Sequence, residues 1–118
     1  MSTPPSPSRG EVWDICFDPS LGAEIQKTRP AVVISVGSVG RLPLRLVVPI
    51  TDWKEAYCAA PWFVRLPVSS TNGLSKESGA DSFQIKSVSL SRFRSIRGKL
   101  TDSQMDDIAA AVAICIGL

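Results

Sequence analysis

The chain contains no histidine among its 118 residues. Histidine is the side chain whose charge changes most readily near neutral pH, and it is the commonest metal ligand. Catalysis by this chain must therefore use Arg, Lys, Asp, Glu, Ser, Thr, Cys or Tyr. The three cysteines, Cys16, Cys58 and Cys115, form no C-x-x-C pair, and their odd number argues against a disulfide framework or a zinc site. We expect them to be reduced, in or near the core, as suits the cytoplasm.

Long apolar runs are also missing. No stretch approaches the roughly 18 apolar residues that span a bilayer, so no membrane association is predicted. Residues 1–8, MSTPPSPS, are rich in proline and serine and lack the basic and then apolar pattern of a signal peptide. We predict that they are disordered and that residues 9–118 form one domain.

The charge is small but unevenly distributed. The formal net charge is +2, from 13 basic and 11 acidic residues. Every lysine and arginine precedes residue 101, whereas Asp102, Asp106 and Asp107 make the last part of the chain acidic. A modestly basic body is compatible with nucleic-acid binding. A hydrophobic content of 44% supports a core, and a chain this short gains stability from dimerisation.

Short apolar segments separated by turn residues predict a mainly β domain. Strands are predicted at residues 10–17, 29–35, 44–50, 63–68 and 80–88, with a short strand at 96–100. Turns or loops are expected at 37–40, 51–61 and 69–79, and a helical turn at 90–93. Such strands favour a strongly bent sheet that closes into a small barrel.

The most secure local prediction is a C-terminal helix that packs across the barrel. Thr101 and Gln104 have the spacing of a capping box, in which each side chain accepts from the other residue's backbone N–H. Apolar residues then recur at helical spacing, at Met105, Ile108, Val112, Cys115 and Ile116.

Arg29 stands where a polar loop meets the second strand, and Pro30 follows it. RNA carries its own nucleophile, the 2′-hydroxyl, so an RNA-cleaving protein must orient that attack, move two protons and stabilise phosphoryl charge. An arginine fork binds two phosphate oxygens, a threonine hydroxyl can bind another, and a carboxylate can accept a proton. Arg29, Thr51 and Glu24 have these chemical types. The alternative is that Arg29 is a solvated cation at the end of a strand, that Thr51 caps a strand, and that Glu24 is an ordinary charge on a loop.

Two further groups have alternative interpretations. The aromatic residues Trp13, Trp53, Trp62 and Phe63 serve either in the core and a dimer contact or as platforms on which bases stack. The basic residues Arg92, Arg94, Arg97 and Lys99 form either a solvated face or a patch for a nucleic-acid backbone. Residue chemistry alone therefore reaches a small β-rich domain that is compatible with nucleic-acid binding.

Six segments occur in an order that resembles the MazF/PemK family of toxin endoribonucleases. They are GEVW at 10–13, FDP at 17–19, GAE at 22–24, TRPAVVIS at 28–35, VPIT at 48–51 and FQIKSV at 83–88. The resemblance runs from about residue 9 to the C-terminus. It implies an SH3-like, PemK-type barrel, a homodimer, and cleavage of single-stranded mRNA that needs no metal or other cofactor. The implied products are a 2′,3′-cyclic phosphate and a 5′-hydroxyl.

The resemblance also implies roles for individual residues. Arg29 matches the catalytic arginine, Thr51 the hydroxyl at the scissile phosphate, and Glu24 a carboxylate that some members use as a base. Gln84 matches a position that contacts RNA, and Trp53 is placed to stack a base. Lys27, Lys86 and Asp81 are assigned to the same RNA-binding surface. Some relatives have an acid directly before the glutamine, where this chain has Phe83, so Asp81 could reach the same space from two residues earlier.

The expected partners are single-stranded RNA, a second copy of the chain and an acidic, MazE-like antitoxin whose disordered tail covers the RNA groove. Two other functions remain open at this stage. One is a barrel that inhibits DNA gyrase by binding, and the other is a degenerate domain that binds nucleic acid or a partner without cutting.

Overall fold

Seven β-strands and one C-terminal helix make up the part of the chain that the computed structural model describes, residues 5–37 and 41–118. The elements are β1 Glu11–Cys16, β2 Thr28–Val33, β3 Leu44–Asp52, β4 Phe63–Leu66, β5 Ser78–Asp81, β6 Lys86–Ser89, β7 Phe93–Lys99 and α1 Asp102–Ile116. Short 3₁₀ turns lie at Glu55–Ala59, Ser82–Gln84 and Leu90–Arg92. The prediction of a mainly β domain with a C-terminal helix is confirmed.

The long strand β3 organises an antiparallel sheet. The strands follow the order β4-β5-β3-β2-β1-β7, and β6 also pairs with β3. β2 lies along one edge of β3, with Val32 opposite Val48. The other edge of β3 is shared, because β6 pairs with its first half and β5 with its second half.

The predicted single strand at residues 80–88 is wrong. It is divided into β5 and β6 by the 3₁₀ turn Ser82–Gln84. Ala80 pairs with Ile50, and Lys86 pairs with Val47. The chain between Ala80 and Lys86 therefore contains three more residues than the facing stretch of β3. An insertion of this kind leaves the extra residues out of the ladder and re-aims their side chains.

Other boundaries differ by a few residues. β4 ends at Leu66, before Pro67, which has no N–H to give to a ladder. The predicted strand at 96–100 is longer and begins at Phe93, directly after the 3₁₀ turn in the predicted 90–93 region. Part of the turn predicted at 37–40 lies outside the described residues.

The disorder predicted for residues 1–8 stays a prediction, and residues 1–4 lie outside the described residues. The end of this segment makes contacts with the domain. The Arg45 Nε donates to the Pro7 carbonyl at 2.9 Å, and the Ser8 N–H donates to the Glu11 carboxylate at 2.7 Å.

Both faces of the central sheet are buried, which explains why β2 and β3 are apolar at consecutive positions. Val32 and Val48 face a cluster that includes Met105 and Ile108 of α1. Ala31 and Val47 face a second cluster on the opposite side. That second cluster also contains Ile15, Phe17, Val33, Val88 and Phe93, with Ile25 of the β1–β2 loop packed against it.

The helix begins where the sequence predicted. The Gln104 N–H donates to the Thr101 hydroxyl at 3.1 Å, and the Thr101 N–H donates to the Gln104 side-chain oxygen at 3.0 Å, so the capping box is confirmed. Met105 and Ile108 are buried, whereas Ile116 is 63% exposed. The apolar face that packs on the sheet is therefore shorter than the spacing indicated.

A loop joins the two ends of the sheet into a closed barrel. The Lys99 N–H at the end of β7 donates to the Thr71 carbonyl, in the loop after β4, at 2.9 Å. The approach is so close that a Cβ on Gly98 would lie 2.2 Å from the Thr71 oxygen. Glycine is required there because it lets two backbones meet.

Candidate active site

Arg29 and Thr51 lie at matching ends of neighbouring strands. Ala31 of β2 pairs with Pro49 of β3, so Arg29 and Thr51 each lie two residues from this pair, and Thr51 itself pairs with Gly79 of β5. On its other side, Arg29 pairs with Ile15. The Arg29 Nε donates to the Gln26 carbonyl at 2.9 Å. This bond fixes the guanidinium and leaves its two terminal nitrogens without a partner in the described part of the chain.

The loop between β1 and β2 is closed at its base. The Phe17 N–H donates to the Lys27 carbonyl at 2.9 Å, and the Lys27 N–H donates to the Asp18 carboxylate at 2.8 Å. Lys27 adopts a φ of 67°, which is uncommon for a residue with a side chain. The Arg92 guanidinium donates to the carbonyls of Cys16 and Asp18 at 3.1 and 2.6 Å. Arg92, one residue of the predicted basic patch, therefore holds the β1–β2 loop in place.

Glu24 lies at the exposed tip of the same loop. One of its carboxylate oxygens accepts from the Leu21 N–H at 2.9 Å. The other oxygen has no partner among the described residues. The loop thus presents an accessible carboxylate on the segment that leads into Arg29.

Gln84 connects this loop to the inserted 3₁₀ turn. Its side-chain oxygen accepts from the Ile25 N–H at 2.6 Å, and its Nε2 donates to the Asp81 carboxylate at 3.0 Å. Asp81 is only 9% exposed, and its second oxygen, Oδ1, is buried without a hydrogen-bond partner. An unpaired buried acceptor costs free energy, so Asp81 is an unusual feature of this fold.

A cavity of about 700 Å³ opens between the β1–β2 loop and the inserted turn. Its lining residues are Ala23, Glu24, Ile25, Trp62, Asp81, Phe83, Gln84, Ile85 and Lys86. The structure therefore brings together four of the residues that the sequence assigned to the site, namely Glu24, Asp81, Gln84 and Lys86. Arg29, Thr51, Lys27 and Trp53 do not line this cavity.

Trp53 lies on a row of aromatic rings rather than at the cavity. The Arg65 guanidinium stands 4.9 Å from the centre of its ring, and the ring of Tyr57 meets it edge-on at 5.7 Å. Its ring also packs against Gly79. These three contacts, which the sequence could not show, leave little of the Trp53 indole free to stack a base. The adjacent Glu77 raises the pKa of Arg65, chiefly through a hydrogen bond.

Trp62 and Phe83 are the aromatic residues that reach the cavity. Their ring centres are 5.9 Å apart, and Phe83 is 64% exposed. Sequence reasoning did not assign Phe83 to the site, and it left Trp62 among the core or stacking alternatives. The signal that could have identified Phe83 is an aromatic residue directly before the motif glutamine, where some relatives carry an acid.

The described residues contain neither a metal-ion cluster nor a membrane-spanning helix. No group of three or more His, Cys, Asp or Glu residues is arranged to hold a metal ion there. No helix in the described chain has the length and apolar character needed to cross a membrane.

Comparisons with known proteins agree on one family. A family model described as the PemK-like, MazF-like toxin of type II toxin–antitoxin systems matches residues 8–116. The endoribonuclease MazF9 of Mycobacterium tuberculosis is 30% identical over 117 residues, which cover 93% of this chain and 96% of that protein.

Solved structures share the fold. The crystal structure of MazF from Deinococcus radiodurans superposes with a TM-score of 0.81 at 22% identity, covering 95% of this chain and 97% of that one. A mycobacterial endoribonuclease in complex with its cognate antitoxin gives a TM-score of 0.74 at 18% identity, covering 96% and 97%. The match of the family model over nearly the whole length shows that this chain belongs to the PemK-like, MazF-like toxins of type II toxin–antitoxin systems, a family of toxin endoribonucleases.

Proposed function

We propose that this chain is a sequence-specific endoribonuclease that cleaves single-stranded mRNA without a metal ion and thereby inhibits translation and growth. The observation that supports the proposal is the position of Arg29 and Thr51, each two residues from the paired residues Ala31 and Pro49 at neighbouring ends of β2 and β3. Glu24 lies on the loop that leads into Arg29, and the cavity beside it offers room for RNA. Loop and strand-end positions of this kind are where functional residues concentrate.

The cleavage step uses the 2′-hydroxyl of the RNA. Its oxygen forms a bond to the adjacent phosphorus while the bond from phosphorus to the 5′-oxygen breaks. Glu24 accepts the 2′-hydroxyl proton, and the departing 5′-oxygen takes a proton from an acid or from water. The products are a 2′,3′-cyclic phosphate and a 5′-hydroxyl.

Arg29 and Thr51 stabilise the charge on the phosphoryl oxygens. The Nε bond to Gln26 orients the guanidinium, so its two terminal nitrogens can donate to two phosphate oxygens at once. The Thr51 hydroxyl donates to another oxygen of the phosphate. Arg29 is assigned to this role because its planar fork of donors matches the geometry of a phosphate group.

The test uses the purified chain, free of antitoxin, and a long unstructured RNA in EDTA. Cut ends are mapped by primer extension and assayed for cyclic phosphate. We expect cuts at a recurring short sequence, and we expect Arg29→Ala to lower the cleavage rate by about 10²–10³-fold, as for removal of a donor at developing charge.

Arg29→Lys is the matched control, because it keeps the charge but loses the fork. It should recover only part of the rate. Circular dichroism and thermal unfolding must show that each variant is folded. A folded Arg29→Ala variant that cuts at the normal rate would refute the assignment, and absence of cuts by the folded wild-type chain would favour a protein that only binds.

Two partners belong to the proposal. The first is a second copy of the chain, supported by the exposed apolar side chains of Leu42, Leu44 and Leu46 beside β6. Light scattering of the purified chain tests the homodimer.

The second proposed partner is an acidic antitoxin whose tail occupies the RNA groove. Competition between the antitoxin and RNA at several salt concentrations tests it. Cytoplasmic location stays a prediction.

A further inference from the structure

A separate cavity, of about 440 Å³, lies beyond the end of β2 that is remote from Arg29. Ser35, one of its lining residues, follows Arg29 by six positions in the sequence. An extended chain rises about 3.3 Å per residue, so the two residues are roughly 20 Å apart along β2 and its continuation. The cavity is therefore distinct from the proposed active site.

Two guanidinium groups line this cavity, and backbone carbonyls hold both of them. The Arg45 Nε donates to the Pro7 carbonyl, and its Nη1 donates to two further backbone carbonyls, all at 2.9 Å. The Arg9 Nη1 donates to the Ile34 carbonyl. The Nη2 group of each arginine has no acceptor in the described part of the chain, so each can donate to a ligand.

Neither arginine is neutralised by an acid of the described chain. No carboxylate lines the cavity, and the ion pairs among the described residues involve neither guanidinium. The residues outside the described ranges, 1–4 and 38–40, include no Asp or Glu. Glu11 is the nearest acid to Arg9 in sequence, and its carboxylate accepts from the Ser8 N–H at 2.7 Å and the Trp13 indole at 3.1 Å. Two cations without a counter-charge at the lining favour an anion in this cavity.

A buried hydroxyl adds a donor to the two cations. Ser35 is only 9% exposed, and its oxygen accepts from the Leu46 N–H at 3.3 Å. Its own hydrogen has no acceptor among the described residues, although buried polar groups are normally paired. The side chains of Ser6 and Ser8 line the same cavity. Every polar side chain at the lining can therefore donate a hydrogen bond, which suits a ligand whose oxygens only accept.

We propose that the cavity lined by Arg9, Ser35 and Arg45 binds a phosphate group, either as inorganic phosphate or as a terminal phosphate monoester. Such a group carries about two negative charges and three strong acceptor oxygens. The two arginines compensate the charge, and their Nη2 groups and the Ser35 hydroxyl supply donors to the oxygens. A carboxylate, with one charge and two oxygens, leaves part of this donor set without a partner.

The orientation of Arg45 separates this site from the proposed dimer contact. Arg45 lies between Leu44 and Leu46 in β3, and successive side chains of a strand point to opposite faces. Arg45 is therefore on the face that does not carry the exposed leucines. A phosphate that contacts both Arg9 and Arg45 joins the segment before β1 to β3.

Calorimetric titration of the purified full chain with inorganic phosphate, at neutral pH and constant ionic strength, measures the binding. We expect a dissociation constant of about 1 mM or lower, and binding of acetate that is at least roughly tenfold weaker. Adenosine 5′-monophosphate and adenosine distinguish the two sources of the phosphate group. Equal affinity for inorganic phosphate and the nucleotide assigns the site to a free anion. Tighter binding of the nucleotide, without binding of adenosine, assigns it to a terminal phosphate of a larger ligand.

Arg9→Gln is the decisive variant, because this exposed side chain makes one backbone contact and its loss should leave the fold intact. We expect it to weaken phosphate binding about tenfold or more. Arg45→Lys should also weaken binding, since it keeps the charge but loses the fork of donors. Arg94→Gln is the matched control, because Arg94 is exposed, donates to the carbonyls of Ser91 and Phe93 and does not line the cavity. It should keep the full affinity.

Arg29→Ala separates this site from the proposed active site, which is also expected to contact phosphate. Phosphate should bind the Arg29→Ala variant with the affinity given above, and Arg9→Gln should weaken binding in that background too. Loss of binding in Arg29→Ala, with full binding in Arg9→Gln, would place the anion at the proposed active site and overturn the inference.

Two further results would refute the site. One is the absence of saturable binding by the folded wild-type chain at ten times the expected dissociation constant, and the other is equal binding of acetate and phosphate. Circular dichroism must show that each variant is folded. The titration requires no RNA cleavage, so its outcome is independent of the proposed function.

Discussion

At the scale of the residue, Asp81 interacts with two side chains, the Gln84 amide and the Cys115 thiol. Its carboxylate accepts from Gln84 on the side of the cavity. Its negative charge also reaches Cys115 of α1, where burial first and the Asp81 charge second raise the pKa of the thiol. A single buried acid thus influences both the inserted turn and the closing helix.

Cys115 offers a measurement of that influence. The raised pKa means that the folded chain keeps the thiol protonated at a pH where the unfolded chain ionises it. The contribution of Cys115 to the free energy of unfolding is therefore present below the ordinary pKa of cysteine, and it is lost as the pH rises through the raised pKa of the folded chain. In a variant with Cys16→Ser and Cys58→Ser, we expect the pH midpoint of alkylation at Cys115 to lie above that of the same chain in denaturant.

The effect of Asp81 is separable in the same assay. Asp81→Asn removes the nearby charge but keeps the burial, so the alkylation midpoint should fall part of the way toward the unfolded value. Asp107→Asn is the control, because it makes the same change of charge at an exposed position of α1. Identical midpoints in the folded and denatured chains would show that the thiol is not perturbed.

At the scale of the element, the N-terminus of α1 shows the most complete agreement between sequence and structure. Both reciprocal bonds of the capping box are present, at 3.1 and 3.0 Å. We expect Thr101→Ala to lower the free energy of unfolding by about 1 kcal/mol, because it leaves a helix N–H without its acceptor.

Urea unfolding measures this loss as a lower midpoint with an unchanged slope. Ser103→Ala is the control in the same first turn, where alanine is the better helix former, so stability should stay level or rise slightly. A Thr101→Ala variant as stable as the wild type would contradict the role of the cap.

The sequence predicted the elements whose pattern depends on residues that are close together in the chain. The cap of α1 depends on two residues three positions apart, and the second half of β2, residues 31–33, is a run of consecutive buried apolar residues. The division between β5 and β6 is different. The segment at residues 80–88 carries the apolar residues Phe83, Ile85 and Val88 among polar ones, and only its pairing with two separate parts of β3 shows that the ladder is interrupted.

The same reasoning separates the parts of the site. The assignments of Arg29, Thr51, Glu24 and Gln84 to the proposed site are predictions from residue chemistry together with the family resemblance, because each residue occupies a recognisable motif. The second role of Gln84, as the contact to Ile25, joins residues far apart in the chain. The exposure of Phe83 and the enclosure of Trp53 likewise depend on which surfaces meet after folding, and no local pattern carries that information.

At the scale of the whole molecule, closure of the barrel depends on two backbones in contact. A Cβ at position 98 would lie 2.2 Å from the Thr71 oxygen, which is part of the main chain and cannot rotate away. We expect Gly98→Ala to lower the free energy of unfolding by about 1–3 kcal/mol, because the loop must move off β7.

Thermal unfolding tests this expectation, with Gly37→Ala as the control. A Cβ at Gly37 meets no atom of the described residues within 4 Å, so that change should be neutral or slightly stabilising. If the two variants unfold at the same temperature, the contact between the loop and β7 is not what closes the barrel.

The insertion between β5 and β6 has a consequence for the history of such proteins. Because β3 aligns each of the two strands separately, residues 82–84 belong to neither ladder. Phe83 is 64% exposed, so substitutions at this position alter neither strand pairing nor the buried layers on which folding depends. Descendants of one ancestral chain can therefore diverge in the shape and chemistry of the cavity beside this turn while they inherit the same scaffold.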